Sequence, residues 1–188
     1  MNRKPRILFC TEASFMHTGY SIYTKEVMSR LYATGKYELA EFACYSTYDD
    51  KRRAGIPWKF YGNAPHENDT VAHQQYMSNA LNQFGAWRFE DVCLNFKPDI
   101  VCDIRDWWMM EFEQRSPFRP FYHWVIMPTI DSAPNQEEWL ATYMDADAVF
   151  TYSEYGKEVL EEETNGLIEV LDICSPAADR KIFKPPQD

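Results

Sequence analysis

Short apolar runs alternate with amphipathic stretches along the chain. The first run, Arg6-Ile7-Leu8-Phe9-Cys10, is too short for a helix and predicts a strand. Ile22, Val27 and Leu31, with Tyr23 and Met28, then recur at helical spacing over 19–34, and Gly35 stands where a C-cap is expected. Residues 37–45 alternate loosely and predict a second strand. Residues 46–69, rich in Gly, Pro and Asn, predict a long loop holding a short strand at 58–61. After an Asp69-Thr70 cap, Met77, Leu81 and Phe84 are spaced for a helix that continues to Phe84, with a second helical piece reaching Val92 and Phe96.

Pro98 opens the next strand, "PDIVCDI", where proline is tolerated as the first residue. Further strands are predicted at 120–127, 147–152 and 167–173. Helices are predicted between them at 135–144, with acidic residues in the first turn, and at 153–164, capped by Ser153. Strand and helix therefore alternate from end to end. That order predicts an α/β fold, a parallel sheet with helices on both faces. The Pro-rich tail "SPAADRKIFKPPQD" reads as a linker.

Composition narrows the function. The 188 residues suit one domain, or one cut from a longer chain, and 45% hydrophobic content supports a sizeable core. A net charge of −10 argues against a nucleic-acid binder, which needs clustered cations. The run Lys51-Arg52-Arg53 reads as a solvated loop or a clamp for an anion. Cys10, Cys44, Cys93, Cys102 and Cys174 are widely spaced and odd in number, which predicts free thiols of a reducing cytoplasm and neither a zinc site nor a disulfide framework. The N-terminus lacks the apolar core of a signal peptide, and no run approaches the ~18 apolar residues of a transmembrane helix.

Candidate chemistry starts at His17-Thr18-Gly19-Tyr20, between the first strand and the first helix. In a parallel sheet, ligands gather beyond the carboxyl ends of the strands, and a helix N-terminus there offers free N–H groups. Gly19 reads either as a place where a ligand approaches the backbone or as an easy turn, with Thr18 as a ligand contact or a cap. One glycine does not make a dinucleotide fingerprint.

Several segments together resemble the retaining glycosyltransferases of the GT-B fold, especially the family-4 type. "RILFCTEASFMHTGYSIYTKEVMSRL" is similar to that family's opening strand, glycine loop and helix. "KPDIVCDIRDWWM" resembles its "PDIV" strand and ligand-side loop, and "WLATYMDADAVFTYSEYGKEVLEE" its "ADAV…S…G…VL" segment. "SPAADRKIFKP" resembles the junction between the family's two domains. The resemblance implies a Rossmann-like, acceptor-side lobe over 1–183, with 184–188 starting the interdomain linker and the donor-binding C-terminal lobe missing. It implies transfer of a sugar, with retention, from a nucleotide-sugar donor to an acceptor hydroxyl on a glycan, lipid or small molecule, without a metal or other cofactor. The alternative is a non-catalytic single lobe that binds a sugar or a protein.

Carried over position by position, the resemblance puts His17, Thr18, Gly19 and Tyr20 in the loop facing donor phosphate and acceptor. Many family members have two adjacent glycines there, and this chain has one. Asp131 is the nearest ionisable match to a cleft histidine and is the candidate catalytic residue, or else a turn residue before Pro134. Arg105, Asp106 and Trp107 follow a strand's carboxyl end, Arg105 suited to an anionic group and the Trp107 and Trp108 rings to a sugar face or to packing under a loop. Ser153 is a cap or an acceptor contact. "DAD" at 145–147 lies at a strand's amino end, the wrong end for a metal site.

Overall fold

The computed structural model describes residues 3–180 and 182–184. Seven strands form one parallel sheet in the order β3-β2-β1-β4-β5-β6-β7. They are β1 (Arg6–Glu12), β2 (Glu38–Cys44), β3 (Lys59–Gly62), β4 (Ile100–Asp103), β5 (His123–Ile126), β6 (Ala148–Thr151) and β7 (Val170–Ile173). The helices are α1 (Gly19–Ala33), α2 (Thr70–Met77), α3 (Phe89–Phe96), α4 (Trp107–Gln114), α5 (Glu137–Met144) and α6 (Glu154–Glu163). The expected α/β, Rossmann-like architecture is the one observed.

Alternation along the strands divides the core into two layers. Leu8, Cys10, Phe42, Val101, Trp124 and Ile126 pack with Phe89, Met110, Tyr143 and Leu160 from α3 to α6. Ile7, Phe9 and Leu39 pack on the opposite face with Met28 of α1 and with Trp58. On that second face Ile100, Cys102, Val125 and Phe150 join Tyr23 and Val27 in lining an apolar groove beside α1.

Two helical expectations need correction. The helix beginning at Thr70 stops at Met77, because Asn79 adopts an extended backbone and its side chain accepts from Leu81 N–H, starting a separate 3-10 turn at Ala80–Phe84. A helix that the residue pattern did not predict, α4, covers Trp107–Gln114. It buries Met109, Met110 and Glu113. The five cysteines are free, with Cys10, Cys44 and Cys93 buried. Among the described residues, no helix is long and apolar enough to cross a membrane.

Candidate functional site

All seven strands run parallel, so the loops leaving their carboxyl ends share one edge of the sheet. The β1–α1 loop is tightly built. Met16 N–H donates to Ala13 C=O at 2.8 Å, and the buried Ser21 hydroxyl reaches back to the carbonyls of Ala13 and Met16 at 2.8 and 2.9 Å. Ser14 donates both its N–H and its hydroxyl to Glu41, at 2.6 and 2.8 Å.

Thr18 is the N-cap of α1. Its hydroxyl oxygen accepts from Ser21 N–H, and the hydroxyl itself donates to Glu12 at the end of β1. The Thr18 side chain is thus occupied by the fold. Glu12 is nearly buried and brings a carboxylate to a residue at the positive end of the helix. Gly19 is exposed, and a Cβ built on it meets nothing within 4 Å. Its φ is not in the left-handed region, so the fold does not require glycine at this position. His17 is exposed beside it.

Tyr20 ties three loops together. Its hydroxyl donates to Asp106 Oδ1 at 2.9 Å and lies 2.9 Å from Thr129 Oγ1. Asp106 is the N-cap residue of α4 but makes no side-chain cap bond there. Burial pushes the Tyr20 hydroxyl up to about 12, so it keeps its proton at neutral pH. The buried Tyr143 hydroxyl is also pushed up, first by burial and then by Asp106, Tyr20 and Asp131. Asp131 itself is exposed on the β5–α5 loop, accepting from Ser132 Oγ at 3.3 Å.

Three candidate contact residues, Arg105, Trp107 and Ser153, are engaged by the fold. Arg105 has no exposed surface, and its donors are taken by Asp103, Glu113, Cys44 Sγ and Phe84 C=O. It sits two residues after Asp103, beneath the loop, where a buried carboxylate neutralises it and no anion can reach. Glu113 closes this cluster by accepting from Trp124 Nε1 at 2.7 Å. Burial and the neighbouring Asp103 push Glu113 well above the usual carboxylate range, so it holds its proton and Arg105 pairs with Asp103. Trp107 stacks on Trp139, with centroids 5.3 Å apart and planes 23° apart, so one of its faces is covered. Ser153 caps α6 by accepting from Gly156 N–H at 3.1 Å.

In the 145–147 segment, Asp147 accepts from Trp124 N–H at 2.7 Å and from Arg119 at 3.0 Å, joining the amino end of β6 to β5. Glu12, Thr129 and Glu41 were not picked out as site residues from the sequence. Only the strand-end positions of Glu12 and Thr129, and a carboxylate in the middle of the apolar β2 run for Glu41, could have marked them.

No family model matches the sequence, and no curated protein sequence matches it. Solved structures do match in fold. A sucrose-phosphate synthase from Thermosynechococcus elongatus superposes with a TM-score of 0.69 at 15% identity, covering 98% of this chain and 51% of that one. A UDP-GlcNAc 2-epimerase from Methanocaldococcus jannaschii gives 0.55 at 15% identity, over 90% and 45%. One from Neisseria meningitidis, bound to UDP-GlcNAc, gives 0.55 at 16% identity, over 86% and 43%. The chain spans about half the length of these structures and shares with them a Rossmann-like lobe of the GT-B type.

Proposed function

We propose that this chain is the acceptor-side lobe of a two-lobed GT-B glycosyltransferase, with residues 1–183 as the lobe and 184–188 opening the linker to a donor-binding lobe. The reaction is transfer of a sugar, with retention, from a nucleotide sugar to an acceptor hydroxyl, in the cytoplasm and without a metal or other cofactor. The fold match to sugar-handling enzymes supports the class. The observation that carries the reading is Gly19: exposed, unstrained and with open space before it, it is a glycine the fold can do without.

The electrostatics favour acceptor over donor at this loop. Glu12 already meets the Thr18 cap at the positive end of α1, so a diphosphate placed there would face a carboxylate. The N–H groups of Gly19 and Tyr20 and the carboxylates of Asp106 and Asp131 instead suit sugar hydroxyls, which both donate and accept. Asp131, exposed on the β5–α5 loop, is the group proposed to receive the acceptor hydroxyl's hydrogen bond. Catalysis then rests on positioning, with the second lobe supplying most of the field around the leaving diphosphate.

The test is turnover of a panel of nucleotide sugars with a panel of acceptors, by residues 1–188 alone and joined to a donor lobe. Glycosylated acceptor forming only with both lobes, and falling at least tenfold in Asp131→Asn, is expected. Epimerised nucleotide sugar without transfer would favour the reaction named for the epimerase neighbours. Saccharide binding with no turnover in any format would favour a non-catalytic binding lobe.

A further inference from the structure

We propose that Glu41 is the positioning residue of the β1–α1 loop: a buried carboxylate that fixes Ser14, and through it the path to Gly19, without touching the ligand. The proposal rests on reading that loop as ligand-facing.

Glu41 lies mid-strand in β2, on the face it shares with Leu39, which packs against Met28 and Trp58. An aliphatic residue would satisfy that core, yet the position holds a carboxylate with no exposed surface. Such burial is costly unless the charge is well bonded. Glu41 has three donors: Ser14 N–H on Oε1, and the Ser14 hydroxyl and Trp58 Nε1 on Oε2, at 2.6, 2.8 and 2.8 Å. Two of the three come from one loop residue. That residue follows directly on Ala13, whose carbonyl accepts from both Met16 N–H and Ser21 Oγ. Displacing Ser14 would therefore release the turn that delivers His17 and Gly19 to the edge of the sheet. None of these three donors is a cation, so the carboxylate acts through neutral donors that aim one backbone segment.

The donor pattern separates a loop anchor from a core-filling residue. In Glu41→Gln the remaining oxygen keeps the site with two donors, the Ser14 hydroxyl and Trp58 Nε1, so the new amide N–H faces Ser14 N–H, donor against donor. Trp58→Phe removes the third donor and leaves both Ser14 bonds. Hydrogen exchange on the 188-residue chain should show amides 14–19 opening at least tenfold faster in Glu41→Gln, with Leu8, Val101 and Trp124 at wild-type rates. Trp58→Phe should stay within threefold of wild type in the loop. If Glu41→Gln does not fold, Ser14→Ala, which loses one of the two bonds, should still speed the loop about threefold. Loop exchange unchanged in these Glu41 and Ser14 variants, or loosening spread equally through the strands, would overturn the proposal.

The ligand arm uses glucose as the probe, read at the amides of 14–20. Glu41→Gln should weaken the apparent affinity at least fivefold while Trp58→Phe leaves it unchanged. Faster loop exchange with wild-type probe affinity would instead overturn the reading of this loop as ligand-facing.

Discussion

The Tyr20 hydroxyl donates to Asp106 Oδ1 at 2.9 Å across 86 residues of sequence, joining the start of α1 to the start of α4. With Thr129 on the same hydroxyl, three strand-end loops are held by one phenol.

Removing that phenol tests the junction. Tyr20→Phe should cost about 1 kcal/mol, the usual worth of such a bond in a half-buried setting. The effect should depend on pH. The folded-state value of about 12 lies above the ordinary tyrosine value of 10, so the folded chain binds more protons between the two. Its contribution is complete below pH 10 and is lost as pH rises toward 12. Urea denaturation at pH 8 and pH 11 should therefore show the gap between wild type and Tyr20→Phe shrinking at the higher pH. A gap that widens would contradict the assignment.

Arg105 and Glu113 should respond differently to substitution although they share one buried cluster. Arg105→Ala strands a buried Asp103 carboxylate and should cost about 3–5 kcal/mol. Glu113→Gln replaces a protonated acid by a neutral amide of like shape and should stay within about 1 kcal/mol of wild type. Equal damage from both, measured by equilibrium unfolding, would mean that Glu113 carries charge.

Glycines offer a built-in comparison. A Cβ at Gly62 would land on the backbone of Thr47 and Tyr48, and one at Gly85 would stand 2.5 Å from Phe42 Cε1, at a φ of +130°. Alanine at either site should destabilise by at least about 2 kcal/mol. Gly19→Ala meets nothing and gains helix propensity, so thermal unfolding should show stability unchanged or raised by up to about 1 kcal/mol. If Gly19→Ala unfolds the chain, the glycine serves the fold and not a ligand.

The strands were legible because β1, β2 and β4 are short apolar runs bounded by polar or breaking residues. Parallel order followed from strand–helix alternation. The eight-residue α4 was not, since Trp107-Trp108-Met109-Met110 is apolar on every side and shows no stripe. The overlong reading of α2 came from Met77, Leu81 and Phe84, whose helical spacing continues through a break made by Ser78 and Asn79. Arg105 illustrates the limit at the site. A cation just past a strand suggests a ligand, but whether it turns outward or back under the loop depends on Asp103 and Glu113, and Glu113 sits on another element. The Tyr20–Asp106 and Ser14–Glu41 links are equally invisible to local pattern, being set by how β2 and β4 flank β1.

The most direct test of a ligand edge at Gly19 is a titration of isotope-labelled chain with glucose, followed by backbone amide shifts. Saturable shifts concentrated at 14–20, 104–107 and 127–131, lost in Gly19→Val while that variant stays folded, are the predicted result. Shifts gathered instead along the apolar groove of Val27, Cys102 and Phe150, or identical titrations for wild type and Gly19→Val, would contradict it.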